Sequence, residues 1–231
     1  MKTDLQTKFL TQFLFVFLFT LGISYAQTTT PFSQRYETQG INGDLTIIGN
    51  SILGDSPDTP YNGDIQNNFI DMVFVDVDNN PNTFNSSSAR FTTSSCNRVV
   101  YAGLYWGAVS APANLEPENI KFRVPGAGYR DITADETIDL IYYKDVTDIV
   151  ANSSISGDYW VANISSSEGQ SSAAGWSLVI VYEDPTETRK YISTFDGFSA
   201  VRDSPNNQVD FNYSGFTTPP SGPVEGRVGV A

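Results

Sequence analysis

Residues 176–182, with the sequence WSLVIVY, decide the fold class of this 231-residue chain. Side chains alternate between the two faces of a β-strand, and in this stretch both faces are mostly apolar. That pattern fits a central strand of a β-sandwich. The charged pair Glu183 and Asp184 and then Pro185, which cannot donate to a ladder, end the run.

Short apolar runs separated by Gly, Asn, Asp, Ser and Pro make up most of the rest of the sequence. Residues 72–77, MVFVDV, are also apolar on both faces up to an Asp-rich end. Aromatic and β-branched residues dominate these runs, as is typical of strands. We predict strands over residues 44–48, 69–77, 98–106, 119–124, 137–143, 159–164, 176–182, 189–195, 209–213 and 227–230.

Only residues 142–153, YYKDVTDIVANS, favour a helix. Val146, Ile149 and Val150 fall at positions i, i+3 and i+4, and Asp145 can cap the first turn. We predict one or two turns that plug the open end of the sandwich. The long helices that a parallel α/β sheet needs are missing. The predicted fold class is therefore all-β, an antiparallel, jelly-roll-like β-sandwich with one short helical turn.

Composition divides the chain into three parts. Residues 1–26 carry Lys2 and Lys8, an apolar core too short to span a bilayer, and a Ser-Tyr-Ala ending. They predict a secretory signal peptide that is cleaved before Gln27. Residues 27–43 are polar and predict a flexible lead. Residues 44–231 are expected to form a single β-sandwich domain, truncated at its C-terminal end because the chain stops inside the alternating run GPVEGRVGVA.

Charge and missing residue types restrict the chemistry. The 13 basic and 26 acidic residues give a formal net charge of −13, which repels nucleic acid and anionic lipid. The sequence has no histidine, which excludes Ser-His-Asp and Cys-His catalysis and His-ligated zinc within this chain. The single cysteine, Cys96, cannot form a disulfide within the chain and is expected to be a buried thiol.

The loop that follows MVFVDV is the best candidate for a metal site. Its Asx residues are spaced two apart, so in a curled loop their oxygens would converge on calcium: Asp76, Asp78, Asn80 and Asn82. The EF-hand pattern fails, because Pro81 stands where glycine is needed and Ser87 where a bidentate Glu is needed. The alternative is an Asx-rich turn whose side chains bond their own backbone. Calcium is the candidate cofactor, and no other cofactor is expected.

The three tryptophans, Trp106, Trp160 and Trp176, lie in or beside predicted strands. An exposed tryptophan over a concave face would be a platform on which a sugar stacks. A buried tryptophan would belong to the core, since one aromatic side chain buries roughly 150–250 Å². The core interpretation is favoured for all three.

Carboxylates cluster between residues 175 and 198, GWSLVIVYEDPTETRKYISTFDGF. The adjacent Glu183 and Asp184 would point to opposite faces of a strand, so they cannot be the carboxyl pair of a glycosidase. Asp196-Gly197 predicts a turn or bulge in which glycine takes a positive φ. A hydrolase is a third hypothesis, with Asp196, Glu183 and Asp139 as its candidate acids.

Residues 183–190, EDPTETRK, predict a solvated hairpin loop in which Glu187 lies near Arg189 and Lys190. Glycosylation sequons, which would matter only in a glycosylating host, occur at four positions: Asn85, Asn152, Asn163 and Asn212.

Four segments in series carry a resemblance to a family: VVYAGLYWGA, DVTDIV, GDYWVANI and AGWSLVIVYEDPTETRKYISTFDGF. Together they resemble the N-terminal β-sandwich domain of large secreted bacterial surface proteins of the adhesin type. Those proteins carry a signal peptide, this sandwich, repeat modules and often a gliding-motility-associated C-terminal sorting domain. The similarity covers most of residues 40–231, and it implies no catalytic residues.

The expected function is a non-catalytic extracellular or cell-surface module of a secreted bacterial protein, serving adhesion or surface assembly. Its expected partners are other cell-surface proteins or glycans, with no nucleic acid and no membrane span in the mature chain. A carbohydrate-binding module is the alternative.

Overall fold

The computed structural model describes residues 29–61, 63, 66–94, 97–109, 116–200, 210, 211, 214, 221 and 224–231. The chain divides into two compact units. The larger comprises Thr30–Phe198 and Asp210–Ala231, and the smaller comprises Met1–Thr29 and Ser199–Val209. Of the smaller unit only Thr29, Ser199 and Ala200 are described. The predicted signal peptide and Cys96 lie outside the described residues. Within them, no helix has the length and apolar character needed to cross a membrane.

Strands dominate the secondary structure, and the nine strand pairs whose register is described are antiparallel. In chain order the elements are β1 (Thr29–Glu37), β2 (Ile41–Ser51), β3 (Leu53–Gly54), a 3₁₀ turn (Asn67–Phe69), β4 (Val73–Phe74), β5 (Ser86–Phe91), β6 (Arg98–Ala108), β7 (Asn119–Arg123), β8 (Arg130–Thr133), β9 (Glu136–Ile138), β10 (Ile141–Asp145), α1 (Thr147–Ala151), β11 (Gly157–Ala162), β12 (Ala174–Glu183), β13 (Arg189–Lys190) and β14 (Ser193–Ser199).

Two sheets form the sandwich. The six-stranded sheet has the order β13-β2-β12-β6-β10-β9, and the four-stranded sheet has the order β5-β11-β7-β8. The inner strands β2-β12-β6-β10 and the whole four-stranded sheet follow the strand order of a jelly roll, the two-sheet fold built from eight strands. The prediction of an all-β, jelly-roll-like sandwich is confirmed.

The core lies between these two sheets. From β12 it receives Trp176, Leu178 and Ile180, which alternate along the strand as predicted. From the four-stranded sheet it receives Phe122 and Tyr159, whose rings stack with centroids 6.4 Å apart. The prediction of a central strand over residues 176–182 is confirmed, since β12 pairs with β2 on one side and with β6 on the other.

A second, smaller apolar cluster covers the opposite face of the six-stranded sheet. Val179 and Val181 of β12 pack there with Tyr101 and Ile192. Strands β1 and β14 pair with each other, and β1 places Tyr36 on Tyr101 with the ring centroids 4.4 Å apart. The ribbon of β1 and β14 thus explains why both faces of β12 are apolar.

The predicted helical turn is confirmed as α1. Asp145 Oδ1 accepts a hydrogen bond from the Thr147 N–H at 2.9 Å, and Thr147 Oγ1 accepts one from the Ala102 N–H of β6 at 2.9 Å. Val146 and Val150 are fully buried in the core between the sheets. The turn therefore acts as the predicted plug.

Several predicted strands are wrong. Within residues 69–77 the only strand is β4. The next three backbone N–H groups donate to carbonyls in three different segments, so the chain does not continue along one partner strand: Val75 to Ile52, Asp76 to Pro57 and Val77 to Ser86. Residues 137–143 are split into β9 and β10 by a turn in which Asp139 has a φ of 57°. Residues 189–195 are split between β13 and β14.

The sequence prediction also misplaced the ends of the sandwich. The flexible lead predicted for residues 27–43 contains β1 and the start of β2. Strands β5 and β8 were not predicted, because they are short and polar. Residues 227–230 form no strand and are exposed. Of the strand predicted at 209–213, only residues 210 and 211 are described, and neither is in a strand.

Candidate functional site

The loop from residue 76 to residue 85 leaves the sandwich and returns to the same point. At its start the Val77 N–H donates to the Ser86 carbonyl, and at its end the Ser86 N–H donates to the Val75 carbonyl at 2.8 Å. Asn85 closes the loop with its side chain, whose Nδ2 donates to the Ile164 carbonyl at 2.8 Å. Its Oδ1 accepts from the Ile164 N–H at 3.1 Å. The loop is thereby fixed to the end of β11.

Two of the predicted calcium ligands meet inside this loop. The buried Ser86 Oγ lies 2.9 Å from Oδ1 of Asp76 and 2.9 Å from Oδ1 of Asp78. A hydroxyl has one proton, so it donates to one carboxylate at a time. Asp78 Oδ2 accepts a further hydrogen bond from the Tyr129 hydroxyl at 2.8 Å.

The two carboxyl groups differ in acidity because their surroundings differ. Burial, together with the nearby Asp78 charge, raises the pKa of Asp76, although Ser86 opposes this with a hydrogen bond. Burial also acts to raise the pKa of Asp78, but hydrogen bonds from Tyr129 and Ser86 outweigh it and hold that pKa below its usual value. Asp78 is therefore the carboxylate that the fold keeps ionised.

The third predicted ligand, Asn80, bonds within its own loop. Its Oδ1 accepts from the Asn82 N–H at 3.0 Å, and its backbone N–H donates to Asp78 Oδ1 at 3.3 Å. These are the bonds of the Asx-turn alternative. No group of three or more Asp, Glu, His or Cys side chains suited to a metal occurs among the described residues. The geometry favours the Asx-turn interpretation, and calcium binding stays a prediction.

A turn or bulge was predicted at Asp196-Gly197, and the turn is wrong because both residues lie inside strand β14. Gly197 has no positive φ. A Cβ atom at Gly197 would come within 2.8 Å of Phe32 Cα and of the Thr30 carbonyl oxygen. Glycine is needed there because β1 approaches β14 closely.

Asp196 is held in a network that the sequence analysis missed. Its Oδ2 accepts from Arg35 Nε at 2.6 Å and from the Tyr105 hydroxyl at 2.9 Å. The Arg35 guanidinium also pairs with Glu136 at 2.8 Å and lies 4.2 Å from the centre of the Tyr143 ring. These residues tie the outer ribbon to the six-stranded sheet. The signal available in the sequence was the spacing of Tyr101 and Tyr105, which places both on the face of β6 that points away from the core between the sheets.

The other carboxylates of the opening stretch have structural partners as well. Glu183 pairs with Arg98 at 2.8 Å across β12 and β6. Asp184 is buried rather than solvated, and hydrogen bonds from the hydroxyl and backbone N–H of Thr186 lower its pKa. The loop is not a hairpin, because β12 and β13 lie on opposite sides of β2. The predicted pair of Glu187 with Lys190 is present at 2.6 Å, whereas Arg189 donates to the Gln39 carbonyl.

The tryptophans divide between the core and the surface. Trp106 and Trp176 are only 1% and 5% exposed. Their ring N–H groups donate to the Pro117 carbonyl and to Ser87 Oγ. Trp160 is half-buried on the outer face of the four-stranded sheet. The core prediction is confirmed for Trp106 and Trp176 and is wrong for Trp160.

Trp160 belongs to a stack that reaches the acidic loop. Arg123 Cζ lies 4.4 Å from the centre of the Trp160 ring and 4.9 Å from the centre of the Tyr129 ring. We call Trp160, Arg123 and Tyr129 the Arg123 stack. Since Tyr129 also bonds to Asp78, the stack and the loop form one continuous surface. The alternation in NIKFR, residues 119–123, was the signal that places Arg123 outward.

The sequons differ in accessibility. Asn85 is fully buried, and both polar atoms of its side chain are hydrogen-bonded, whereas Asn152 is exposed after α1. Asn163 has a φ of 62° and accepts a hydrogen bond from the Phe84 N–H. Asn212 lies outside the described residues.

Comparisons of the chain with protein-family models, with curated proteins and with solved structures gave no match.

Proposed function

We propose that this protein is a non-catalytic extracellular or cell-surface module of a secreted bacterial protein, serving adhesion or surface assembly. The observation that carries the proposal is the contrast between two surfaces. Two of the carboxylates considered for catalysis, Asp196 and Glu183, are bound by arginines, while the outer face of the four-stranded sheet presents an organised set of aromatic and charged side chains.

The arrangement of the candidate acids argues against a hydrolase. A glycosidase needs two carboxyl groups about 5–10 Å apart that flank a scissile bond. Asp196 is only 10% exposed and is bonded by Arg35 and Tyr105. Glu183 is paired with Arg98, and Asp139 lies in the turn between β9 and β10. Two of the three acids therefore have their charge taken up by a cation of the fold.

A turnover assay tests the non-catalytic part of this proposal. The full chain would be incubated with a panel of soluble polysaccharides and aryl glycosides, and released reducing ends would be measured over a day. We expect release at the level of a protein-free control. Turnover that Asp196→Asn abolishes, in a variant with an unchanged melting temperature, would refute the proposal.

Export is tested separately. Residues 1–26 would be fused to a reporter enzyme in a bacterial host, and the N-terminus of the released product would be sequenced. We expect release and a mature N-terminus at Gln27. Retention of the reporter inside the cell would contradict the proposed location at the surface or outside the cell.

Carbohydrate binding is the second candidate function, and the position of Trp160 favours it. An aromatic ring on the outside of a sheet, flanked by charged hydrogen-bonding groups, is what a sugar-binding surface requires. The four-stranded sheet provides this combination at the Arg123 stack. Glycans are accordingly the partners that we test first, before other cell-surface proteins.

A further inference from the structure

The outer face of the four-stranded sheet carries cross-strand ion pairs, each formed by one basic and one acidic side chain. Arg90 binds Asp158 through two hydrogen bonds of 2.8 and 2.7 Å. Lys121 pairs with Asp131 at 2.6 Å on the neighbouring strands. These four side chains satisfy one another and leave no charge for a ligand to neutralise.

Arg123 is different, because it has aromatic neighbours but no acidic partner in contact among the described residues. Within the described part of the chain its guanidinium makes no hydrogen bond or ion pair with a protein group. Its N–H groups, five in number in any arginine, are therefore not used by hydrogen bonds within the described residues. An arginine of this kind is a donor surface for acceptors that come from outside the chain.

The guanidinium is nevertheless held in place. Trp160 and Tyr129 lie on it at 4.4 and 4.9 Å, and the hydrogen bond from Tyr129 to Asp78 fixes the second ring. A long side chain that is already ordered loses little rotamer freedom when a ligand binds, and this raises affinity. Asp78 is thus a positioning residue for the stack.

Small neighbours leave room beside the tryptophan. In the strand register Trp160 faces Arg123 on β7 and Ser88 on β5. Ser88 is half-buried, and its side chain is too short to cover an indole ring. Arg123 therefore covers one side of Trp160, and on the side toward β5 the paired residue is only a serine.

The charge balance selects the class of ligand. The charge of Arg123 acts on both Asp78 and Asp158, while Arg90 already neutralises Asp158. The positive charge of Arg123 lies one ring away from the Asp78 carboxylate, because Tyr129 contacts both, on a chain whose net charge is −13. Such a surface gives no electrostatic advantage to an anionic ligand. It suits a neutral ligand with many hydroxyl groups.

We infer that the Arg123 stack is a binding site for a neutral saccharide, whose pyranose ring packs on Trp160 and whose hydroxyl oxygens accept hydrogen bonds from Arg123. This inference rests on the proposed non-catalytic binding function and names its ligand class. A ring face of C–H groups matches the indole, and hydroxyl groups match guanidinium donors without requiring a net charge.

The test is affinity electrophoresis of the full chain in gels that contain single polysaccharides. Neutral probes would be β-glucan, xylan and galactomannan, and acidic probes would be alginate and polygalacturonate. We expect retardation by at least one neutral probe. Trp160→Ala and Arg123→Gln should each weaken it about tenfold, the loss typical of a central contact residue. The matched control is Arg90→Gln, which removes the same charge from the same face and should leave retardation unchanged.

The outcomes separate this inference from the proposed function. Retardation by acidic probes alone would overturn the neutral-ligand assignment. Retardation that survives both Trp160→Ala and Arg123→Gln would overturn the site while leaving glycan binding intact. Absence of retardation by every probe would overturn the inference without touching adhesion to proteins, whereas reducing-end release would overturn the proposed function itself. If Trp160→Ala fails to fold, two other variants test the site. Arg123→Gln should weaken binding, and Trp160→Phe, which keeps an aromatic ring, should retain it.

Discussion

Asn85 holds the acidic loop onto the sandwich, and its replacement by alanine tests that role. Its side chain is fully buried and makes two hydrogen bonds to the backbone of Ile164, of 2.8 and 3.1 Å. The side-chain amide thereby takes the place of a peptide group in an antiparallel ladder, next to the backbone hydrogen bond from the Asn163 N–H to the Asn85 carbonyl. Asn85→Ala leaves the Ile164 N–H and carbonyl buried without these partners.

The size of the effect follows from those two groups. Each buried polar group left without a partner costs about 1–3 kcal/mol, so Asn85→Ala should lower the free energy of unfolding by about 2–6 kcal/mol. For a domain of this size that corresponds to a drop in melting temperature of about 5–20 °C. The loop carrying Asp76 and Asp78 should loosen first.

Thermal and urea unfolding, followed by near-UV circular dichroism, measure this change. The matched control is Asn152→Ala, whose exposed side chain donates one hydrogen bond to the Asp148 carbonyl and should matter by less than about 1 kcal/mol. Asn85→Asp should be worse than Asn85→Ala at neutral pH, because it buries a charge beside the Ile164 carbonyl, and should recover partly in acid. Equal melting temperatures for Asn85→Ala and Asn152→Ala would refute the reasoning.

Four further predictions concern the loop and the outer ribbon. Because the folded state raises the pKa of Asp76, the ionised Asp76 destabilises the folded state at neutral pH, and protonation removes this destabilisation. Asp76→Asn should therefore raise the melting temperature at pH 7, and the increase should vanish below pH 3.8. Because the fold lowers the pKa of Asp78, the ionised Asp78 stabilises the folded state above pH 3.8, and this contribution is lost as the pH falls further. Asp78→Asn should therefore lower the melting temperature at pH 7 and have little effect in strong acid. The reverse pattern for the two variants would contradict both pKa assignments. Gly197→Ala should push β1 away from β14, lower the free energy of unfolding by about 1–3 kcal/mol and speed tryptic cleavage after Arg35. The control Gly128→Ala, at a position with open space around it, should change neither. Equal cleavage rates for the two variants would rule out the close approach of β1 to β14. The calcium hypothesis for Asp76, Asp78 and Asn80 predicts a higher melting temperature in calcium than in EDTA, an increase that Asp78→Asn removes, and identical melts would retire it.

Much of the fold could be predicted from local sequence patterns. The alternation in residues 176–182 identified β12, and the spacing of Val146, Ile149 and Val150 identified α1. The ribbon of β1 and β14 could not be predicted in this way. Residues 29–37 look polar in isolation, and their burial depends on pairs such as Arg35 with Asp196, which are 161 residues apart in the chain.

The candidate site was predictable only in part, for the same reason. A spacing of two residues brought Asp76 and Asp78 together as expected, although their oxygens meet at Ser86. Tyr129 reaches Asp78 from 51 residues away, and no local pattern indicates that contact. Arg123 and Trp160 meet because of the register between β7 and β11, which is set by the packing of the whole sheet.

The claim that this protein binds through the outer face of its four-stranded sheet and performs no catalysis is tested most directly by one paired measurement. Retardation and reducing-end release would be recorded for the full chain and for Trp160→Ala on the same neutral polysaccharides. The account predicts retardation without release in the wild-type chain, and loss of retardation in a folded Trp160→Ala variant. Release of reducing ends by the wild-type chain that disappears in a folded Asp196→Asn variant would contradict it.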